Sequence, residues 1–347
     1  MEGALGTERD YLCVDAFMRD AVGARALSSA FELGIVDELL SRPASTQAEL
    51  GARARIDARG LHLLLGLLNA AGVVETQGES YRLTVEFRSA LRFRDLIEAK
   101  LDFAAAVAPD FLDRFTLLLK DPAAFFERAK LFELFSYDRC FDPTPDNIAA
   151  TARWMRFTTA LTRYESAACF ANYDFARHRR MLDVGGNSGE FALQACAAAP
   201  GLKATVFDLP LVCDIGERHV QAHPHASRID FVRATPERGP LPPGADLVTF
   251  KSMLHDWPDE PMQAFLDRAH DALQPGGTVL IFERSPVVVD ELPPYPAIPL
   301  LLFFRAYRAA NDYRQPLSQA GFVEIEARRV DLDMPFMLVT AKKRGNR

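Results

Sequence analysis

The segment MLDVGGNSGEF, residues 181–191, combines an acidic side chain with a glycine-rich turn between a predicted strand and a predicted helix. Asp183 ends the strand, and Gly185, Gly186 and Gly189 would let the backbone approach a ligand closely. Dinucleotide sites bind a pyrophosphate with the spacing GxGxxG, whereas the spacing here is GGxxG. The carboxylate would repel a phosphate but suits a ligand with an ammonium group. Taken alone, such a turn is explained equally well as a tight connection between a strand and a helix.

A second acidic residue, Asp208, ends the next predicted strand in the segment VFDLP. A carboxylate in this position can accept hydrogen bonds from both hydroxyls of a ribose. Together with Asp183, it favours a nucleoside that carries an ammonium group and lacks a pyrophosphate. NAD is therefore the less suitable cofactor.

These acids belong to a region in which short apolar segments alternate with helical ones, a pattern typical of a parallel α/β sheet. The predicted strands are 181–184, 204–208, 229–232, 246–251, 278–283, 324–329 and 336–342. The predicted helices between them are 190–199, 211–222, 259–273 and 312–320. Only a brief turn, residues 333–335, separates the last two strands, and a parallel crossover needs about a dozen residues or more. We therefore expect a seven-stranded sheet with one reversed strand.

The N-terminal third has helical periodicity over residues 16–33, 46–53 and 58–71, the last with Asp57 as its N-cap. The segments GVVET and YRLT then predict a pair of strands. Two helices followed by a hairpin are typical of a winged helix, which can read DNA. The candidate recognition helix offers only Arg59 and His62 to a nucleic acid, so a structural or dimerising role is favoured.

Composition and charge exclude several other classes of protein. The chain has 347 residues, 49% of them hydrophobic and 25% charged, which is the balance of a globular protein with about two domains. A net charge of −7 disfavours nucleic-acid binding over the whole surface. The five cysteines have no metal-like spacing, and His219, His223 and His225 are better interpreted as a solvated helix end, so no metal is expected. No secretory signal or membrane-spanning apolar run is evident, which predicts a cytoplasmic protein without membrane contact.

Two later segments make the pattern specific enough to suggest a single protein family. They are FKSMLHDWPDE at residues 250–260 and LQPGGTVLIFE at residues 273–283. Together with LDVGGNSGEF and VFDLP, they resemble the S-adenosylmethionine-dependent O-methyltransferases of the plant caffeate and hydroxyindole type, which are also common in bacterial secondary metabolism. The resemblance covers the whole chain. It implies a homodimeric enzyme that binds S-adenosylmethionine, releases S-adenosylhomocysteine and uses no metal.

The resemblance also implies a fold and a domain organisation. The expected fold is α/β, a seven-stranded class I methyltransferase (Rossmann-like) sheet with one antiparallel strand, plus an N-terminal all-helical winged-helix dimerisation domain. The dimerisation domain would span residues 1–95. Residues 96–172 would form a helical connector that contributes to the substrate pocket, and residues 173–347 the catalytic domain that binds the cofactor.

In the family, the acid and glycines of the first turn hold the methionine part of the cofactor, the acid of FDLP holds the ribose, and the tryptophan of HDW packs on the adenine. The positions that match here are Asp183 with its glycines, Asp208 and Trp257. The full set of cofactor residues implied by the resemblance is Asp183, Gly185, Gly186, Gly189, Asp208, Leu209, Thr235, Lys251, Ser252 and Trp257.

The histidine of HDW is the family's general base, and it corresponds to His255. The residues themselves agree with this role, because His255 follows a predicted parallel strand at the edge where open α/β sheets bind ligands. An imidazole also titrates near neutral pH, as removal of a phenolic proton requires. Glu283 matches a family carboxylate that orients the base, and Tyr307 is the alternative base.

The sequence departs from the family pattern at three places. Asn187 replaces a glycine of the turn, and Thr235 replaces an acid that contacts the adenine. Tyr307 and Arg308 stand where a second carboxylate and an arginine are usual. We therefore expect one carboxylate beside His255 instead of two, and a lower pKa of the imidazole than in the family. Arg305 and Arg308 in the same segment suggest an acceptor with its own carboxylate.

The acceptor side is predicted to include the long helix at residues 147–171. The substrate residues expected there and in the later segment are Trp154, Met155, Phe157, Thr158, Arg305 and Arg308. The acceptor is expected to be a small hydroxylated aromatic molecule. Methylation of oxygen is favoured, with ring carbon and nitrogen as alternatives, since a phenolate carries charge on oxygen and on ring carbons. A ligand-binding regulator and a fold recruited to other chemistry are further alternatives.

Overall fold

The computed structural model describes residues 9–235 and 239–345. Its α-helices are α1 (Ala21–Glu32), α2 (Ile35–Ser41), α3 (Gln47–Ala54), α4 (Ala58–Ala70), α5 (Val85–Ala90), α6 (Arg94–Lys120), α7 (Pro122–Arg128), α8 (Leu131–Leu134), α9 (Pro145–Asn172), α10 (Glu190–Ala198), α11 (Pro210–Gln221), α12 (Asp259–Ala272), α13 (Ile298–Leu302) and α14 (Arg314–Gln319). Its strands are β1 (Ser45–Thr46), β2 (Val74–Gln77), β3 (Ser80–Leu83), β4 (Arg180–Val184), β5 (Lys203–Asp208), β6 (Ile229–Arg233), β7 (Ala245–Lys251), β8 (Leu273–Arg284), β9 (Phe322–Asp331) and β10 (Pro335–Lys343).

The chain divides into two compact units. The first comprises Met1–Leu131 and Val289–Leu302, and the second comprises Phe132–Val288 and Phe303–Arg347. The range 96–172, which the sequence assigns to a connector, is therefore divided between the two units. Its contribution to a substrate pocket stays a prediction.

The first unit buries the apolar faces of its helices. Asp57 caps α4 as expected, because its side chain accepts hydrogen bonds from the backbone N–H groups of Arg59 at 2.9 Å and Gly60 at 3.1 Å. Leu61 and Leu65 of α4 are fully buried. The predicted hairpin is present as β2 and β3, and β1 extends it to a three-stranded antiparallel sheet in the order β1-β3-β2. The expectation of an all-helical unit is thus wrong, since the strands of this wing pair with one another. The unit's part in dimerisation stays a prediction.

The second unit contains the predicted seven-stranded sheet, in the order β6-β5-β4-β7-β8-β10-β9. Strands β4 to β8 pair in parallel, whereas β10 is antiparallel to both β8 and β9. The sequence-based prediction of one reversed strand is confirmed. The physical reason is the connection between β9 and β10, which is too short for a crossover.

The pairing register brings the carboxyl ends of four strands to one edge of the sheet. β4 lies between β5 and β7, so the chain reverses its direction of winding at β4, and such a switch point is where open α/β sheets bind ligands. In this register Asp183 lies beside Thr249 of β7. The ends of β5 and β8 place Asp208 and Glu283 at the same edge.

In the described part of the chain, residues 9–235 and 239–345, no helix has both the length and the apolarity that crossing a membrane requires.

Candidate active site

The carboxylate of Asp183 is 1% exposed at the end of β4. Its Oδ1 accepts a hydrogen bond from the hydroxyl of Thr249 at 2.7 Å. Within the described residues its other oxygen, Oδ2, is buried without a hydrogen-bond partner. Burial raises the pKa of Asp183 to about 7, and the nearby charge of Asp208 adds to this effect. A buried acceptor of this kind needs a donor from a ligand, and an ammonium group fits.

The glycine turn after β4 packs closely against neighbouring side chains. Gly185 has a φ of +69°, and a Cβ there would lie 2.5 Å from Cγ of Met253. A Cβ on Gly186 would lie 2.6 Å from the unpartnered Oδ2 of Asp183. Gly189, with a φ of +75°, precedes α10 and packs against Val220. Side chains at these positions would clash with Met253, Asp183 and Val220, so the close packing of the turn requires glycine.

Asp208 lies at the end of β5 with 6% exposure. Its Oδ1 accepts from the backbone N–H of Leu209 at 2.7 Å, and its Oδ2 accepts from that of Asn187 at 2.8 Å. Burial raises the pKa of Asp208 to about 6 despite these two hydrogen bonds. Each carboxylate oxygen keeps a further lone pair for a ligand hydroxyl. Asn187, which replaces a family glycine, joins Asp208 to the turn.

His255 follows β7 in a short 3-10 helix, Leu254–Asp256, and its side chain is 15% exposed. Its Nδ1 lies 2.6 Å from Oε2 of Glu283, which ends β8 and is fully buried. The other oxygen of Glu283 accepts from the backbone N–H groups of Met253 and Leu254, both at 2.8 Å. One carboxylate therefore fixes both the imidazole and the loop that carries it.

A second carboxylate contacts His255, contrary to expectation. Oδ1 of Asp256 lies 3.3 Å from Nε2 of the imidazole, so each ring nitrogen faces an acid. Burial lowers the pKa of His255, but the charges of Glu283 and Asp256 outweigh this and raise it above the usual value. The prediction of a single carboxylate is wrong, because the tight turn brings the residue next in the chain back onto the ring. The prediction that the pKa of His255 is lower than in the family stays a prediction.

One aromatic ring contacts the imidazole, and others lie beyond Asp256 in the same unit. The ring of Tyr307, 8% exposed, lies 5.5 Å from that of His255, and burial raises the pKa of its phenol. Tyr137 donates its hydroxyl to Oδ2 of Asp256 at 2.9 Å. Its ring lies 5.7 Å from the ring of Trp154 on α9. The raised pKa of Tyr307 makes it a weaker candidate for the base than His255.

Arg308 is bound to the loop of the imidazole. Its guanidinium donates to the carbonyl oxygens of Leu254 at 3.0 Å and Trp257 at 2.6 Å, and to Oδ1 of Asp259 at 2.9 Å. Because these contacts engage its donors, Arg308 is less suited than the sequence suggested to bind a carboxylate of the acceptor substrate. The side chain of Arg305 is exposed, with its guanidinium 4.9 Å from the ring centre of Phe304.

The remaining predicted cofactor residues lie at the same edge, with different environments. Nζ of Lys251 contacts Oε2 of Glu165 at 2.5 Å and the hydroxyl of Thr162 at 3.0 Å, so its side chain is engaged with α9. Ser252 has a buried hydroxyl without a hydrogen-bond partner in the described residues. Trp257 packs against Phe265, with ring centres 5.4 Å apart. Leu209 is buried, and Thr235 lies partly exposed after β6.

The predicted substrate residues on α9 occupy two environments. Trp154, Met155 and Phe157 are buried, and the ring of Trp154 also lies 6.2 Å from that of Phe135. Thr158 instead donates to Oδ1 of Asn187 at 3.1 Å, which ties α9 to the glycine turn. Helix α9 therefore contacts the same turn that carries Asp183.

Sequence reasoning missed Asp256, Tyr137, Thr249 and Glu165. Asp256 stands in the HDW motif and could have been found by its adjacency to His255. Tyr137 could not, since 119 residues separate it from Asp256. Among the residues that the structure describes, no cluster of three or more histidine, cysteine or acidic side chains could hold a metal ion.

Comparison with known proteins identifies the family. Residues 120–323 match the model of the O-methyltransferase domain. The 3-hydroxy-5-methyl-1-naphthoate 3-O-methyltransferase of Streptomyces sahachiroi is 29% identical over 77% of this chain and 74% of its own. Human N-acetylserotonin methyltransferase, solved with S-adenosylmethionine, superposes with a TM-score of 0.74 at 23% identity over 99% of this chain and 100% of its own.

A third similar protein is NcsB1, an O-methyltransferase from neocarzinostatin biosynthesis, solved with S-adenosylmethionine and 2-hydroxy-5-methyl naphthoic acid. It superposes with a TM-score of 0.67 at 23% identity over 93% of this chain and 97% of its own. At this identity the two structures demonstrate the shared fold, while the family model covers more than half of the chain. The chain therefore belongs to the O-methyltransferase domain family and is an S-adenosylmethionine-dependent O-methyltransferase.

Proposed function

We propose that this enzyme methylates the hydroxyl group of a small hydroxylated aromatic molecule, with His255 as general base. The observation that carries the proposal is the 2.6 Å contact between His255 and the buried Glu283, at the ligand-binding edge of the sheet. A paired imidazole of this kind can take a phenolic proton near neutral pH. The ring of Tyr307 beside it suits a planar acceptor.

The chain's own residues fit S-adenosylmethionine, which supplies an electrophilic methyl group when bound. Oδ2 of Asp183, buried without a partner in the described residues, would accept from the ammonium of the methionine part. The backbone of the glycine turn would lie against that part, and Asp208 would accept from the two ribose hydroxyls. Trp257 would pack on the adenine.

The proton step follows from the two nitrogens of His255. Nδ1–H donates to Glu283, which selects the tautomer with a lone pair on Nε2. Nε2 would accept the phenolic proton, leaving a phenolate to attack the methyl group and an imidazolium stabilised by Glu283. The protein would accelerate transfer chiefly by aligning the phenolate oxygen with the methyl group, since oriented reactants gain greatly in effective concentration.

The acceptor class is inferred from side chains and from the relatives. Phe135, Tyr137 and Trp154 form an aromatic group near Asp256 and His255, whose contacts favour a flat ring. The Streptomyces relative is named for a hydroxynaphthoate, and NcsB1 was solved with a naphthoic acid. We infer that this enzyme also takes a hydroxyaromatic acid, with Arg305 as the residue that binds its carboxylate.

The test of this function is methylation of a panel of hydroxyaromatic acids and their neutral analogues with S-adenosylmethionine labelled with carbon-13 in the methyl group. A new methoxy signal in the NMR spectrum is the expected result. An aryl methyl signal, or no transfer to any hydroxyaromatic molecule, would contradict the proposal.

The two arginines of the segment before α14 should behave differently. Arg305→Ala is expected to raise KM for carboxylated acceptors about 10- to 100-fold, the effect of losing a charge-assisted hydrogen bond, with little change for neutral analogues. Arg308→Ala should instead lower kcat equally for both classes, because its guanidinium binds the loop of His255. Steady-state kinetics on matched acid and amide acceptors measures both. If Arg305→Ala affects the two classes equally, the acidic-acceptor idea fails.

We further propose that the first unit forms a homodimer. Val22 on α1 and Leu63 on α4 are 60% and 65% exposed, and burial of such apolar helix faces favours association with a second copy. Light scattering at low micromolar concentration is expected to give twice 38.6 kDa. A single-chain mass at this concentration would refute the dimer.

A further inference from the structure

Four side chains form a continuous series through the base. The hydroxyl of Tyr137 donates to Oδ2 of Asp256 at 2.9 Å, and Oδ1 of the same carboxylate lies 3.3 Å from Nε2 of His255. Nδ1 of His255 in turn lies 2.6 Å from Glu283. Nε2 is the nitrogen that must take the acceptor's proton. The group next to this nitrogen is therefore the carboxylate of Asp256. The hydrogen bond from Tyr137 fixes the position of that carboxylate.

The two carboxylates are held in different ways. Glu283 is fully buried and accepts hydrogen bonds from two backbone N–H groups in addition to its contact with the imidazole. Its side chain therefore cannot rotate away from His255. The side chain of Asp256 is 35% exposed, and among the described residues only Tyr137 donates a hydrogen bond to it. Without that bond Asp256 could rotate toward water, where a carboxylate is well solvated.

We propose that Tyr137 is a positioning residue for the base, because its hydroxyl holds the carboxylate of Asp256 against Nε2 of His255. Asp256 thereby takes the place of the second family carboxylate, whose usual position is occupied by Tyr307. After proton transfer, each N–H of the imidazolium has an acid as acceptor. This inference rests on the proposed function of His255 as the base.

The groups that face His255 act in opposite directions. Glu283 and Asp256 stabilise the imidazolium, whereas burial and the positive charge of Arg284 destabilise it. Tyr307 contributes a neutral phenol ring at 5.5 Å. Removal of the Asp256 charge, or its rotation away from the ring, should therefore lower the pKa of His255, since the other groups are unchanged.

The experiment is a pH titration of the full-length protein with nitrogen-15-labelled histidine, read by long-range proton–nitrogen NMR. His255→Gln identifies the signals of His255 by their loss, and the signals of the other histidines report on the fold. Asp256→Asn is expected to lower the pKa of His255 by about 1 pH unit or more, as for loss of a close opposite charge. Tyr137→Phe should lower it by a smaller amount. Tyr81→Phe, on β3 of the first unit, is the matched control and should leave it unchanged.

The double variant Tyr137→Phe/Asp256→Asn decides whether the tyrosine acts through the acid. If it does, the double variant titrates like Asp256→Asn alone, because the two changes are not additive. The proposal would be overturned if the His255 pKa shifts of the two single variants added up in the double variant. An unchanged titration of His255 in Tyr137→Phe would overturn it as well. The titration needs no turnover, so it remains decisive even if the enzyme methylates no hydroxyaromatic acid and the proposed function fails.

Turnover provides a second readout if an acceptor is found in the labelled-methyl panel. The acidic limb of the pH profile of kcat/KM reports protonation of the free base. It should move to lower pH in Tyr137→Phe and further in Asp256→Asn. A change in KM with an unmoved profile would show that Tyr137 only forms part of the acceptor site and would contradict its positioning role.

Discussion

His255→Ala is expected to lower kcat by about 10²–10⁴-fold, the usual contribution of a positioned general base. The loss is expected because Tyr307, the alternative base, cannot replace His255. Burial raises the pKa of Tyr307, so its phenol keeps its own proton at neutral pH and accepts no other. Binding of S-adenosylmethionine should change little, since the carboxylates proposed to hold it, Asp183 and Asp208, lie on other strands. Initial rates at saturating acceptor and calorimetry of cofactor binding measure the two quantities.

His62→Ala is the matched control, because His62 is exposed on α4 of the first unit. It should retain the wild-type rate. Glu283→Gln is expected to lower kcat less than His255→Ala, since the imidazole remains. A rate of His255→Ala close to that of the wild type at neutral pH would assign the base elsewhere, with Tyr307 as the next candidate.

Asp208→Ala should weaken the binding of S-adenosylmethionine about 10- to 100-fold, which corresponds to roughly 1.5–3 kcal/mol for hydrogen bonds to a charged group. Two ribose hydroxyls would lose their acceptor in a closed site. The backbone N–H groups of Asn187 and Leu209 would lose theirs as well, so the glycine turn should also loosen. Isothermal titration calorimetry with S-adenosylmethionine and S-adenosylhomocysteine measures the effect.

Asp230→Ala is a suitable control for this variant, because Asp230 is an exposed aspartate on the neighbouring strand β6. It should bind the cofactor like the wild type. NAD should bind to neither protein, since the carboxylate of Asp183 would repel a pyrophosphate at the glycine turn. Unchanged affinity of Asp208→Ala for S-adenosylmethionine would show that the ribose is held elsewhere.

The sequence by itself determined the architecture of the second unit and predicted the edge of the sheet at which the candidate site lies. Strand and helix periodicities predicted each strand of the large sheet, and the short turn at residues 333–335 predicted the reversed β10. The glycine turn and the acid of FDLP predicted the ligand edge. These features are local, since they depend on side-chain period, turn length and the conformations that glycine allows.

The tertiary structure alone decided what the charged side chains do at that edge. Arg308 binds the carbonyl oxygens of Leu254 and Trp257, across 54 and 51 residues, and Lys251 binds Glu165 across 86. Asp256 turns onto Nε2 of His255 and is held there by Tyr137, 119 residues away. Such contacts depend on how α9 and the loops pack on the sheet. Residue type and spacing in the sequence do not encode the long-range contacts among these, because a long side chain can reach several partners and packing selects one.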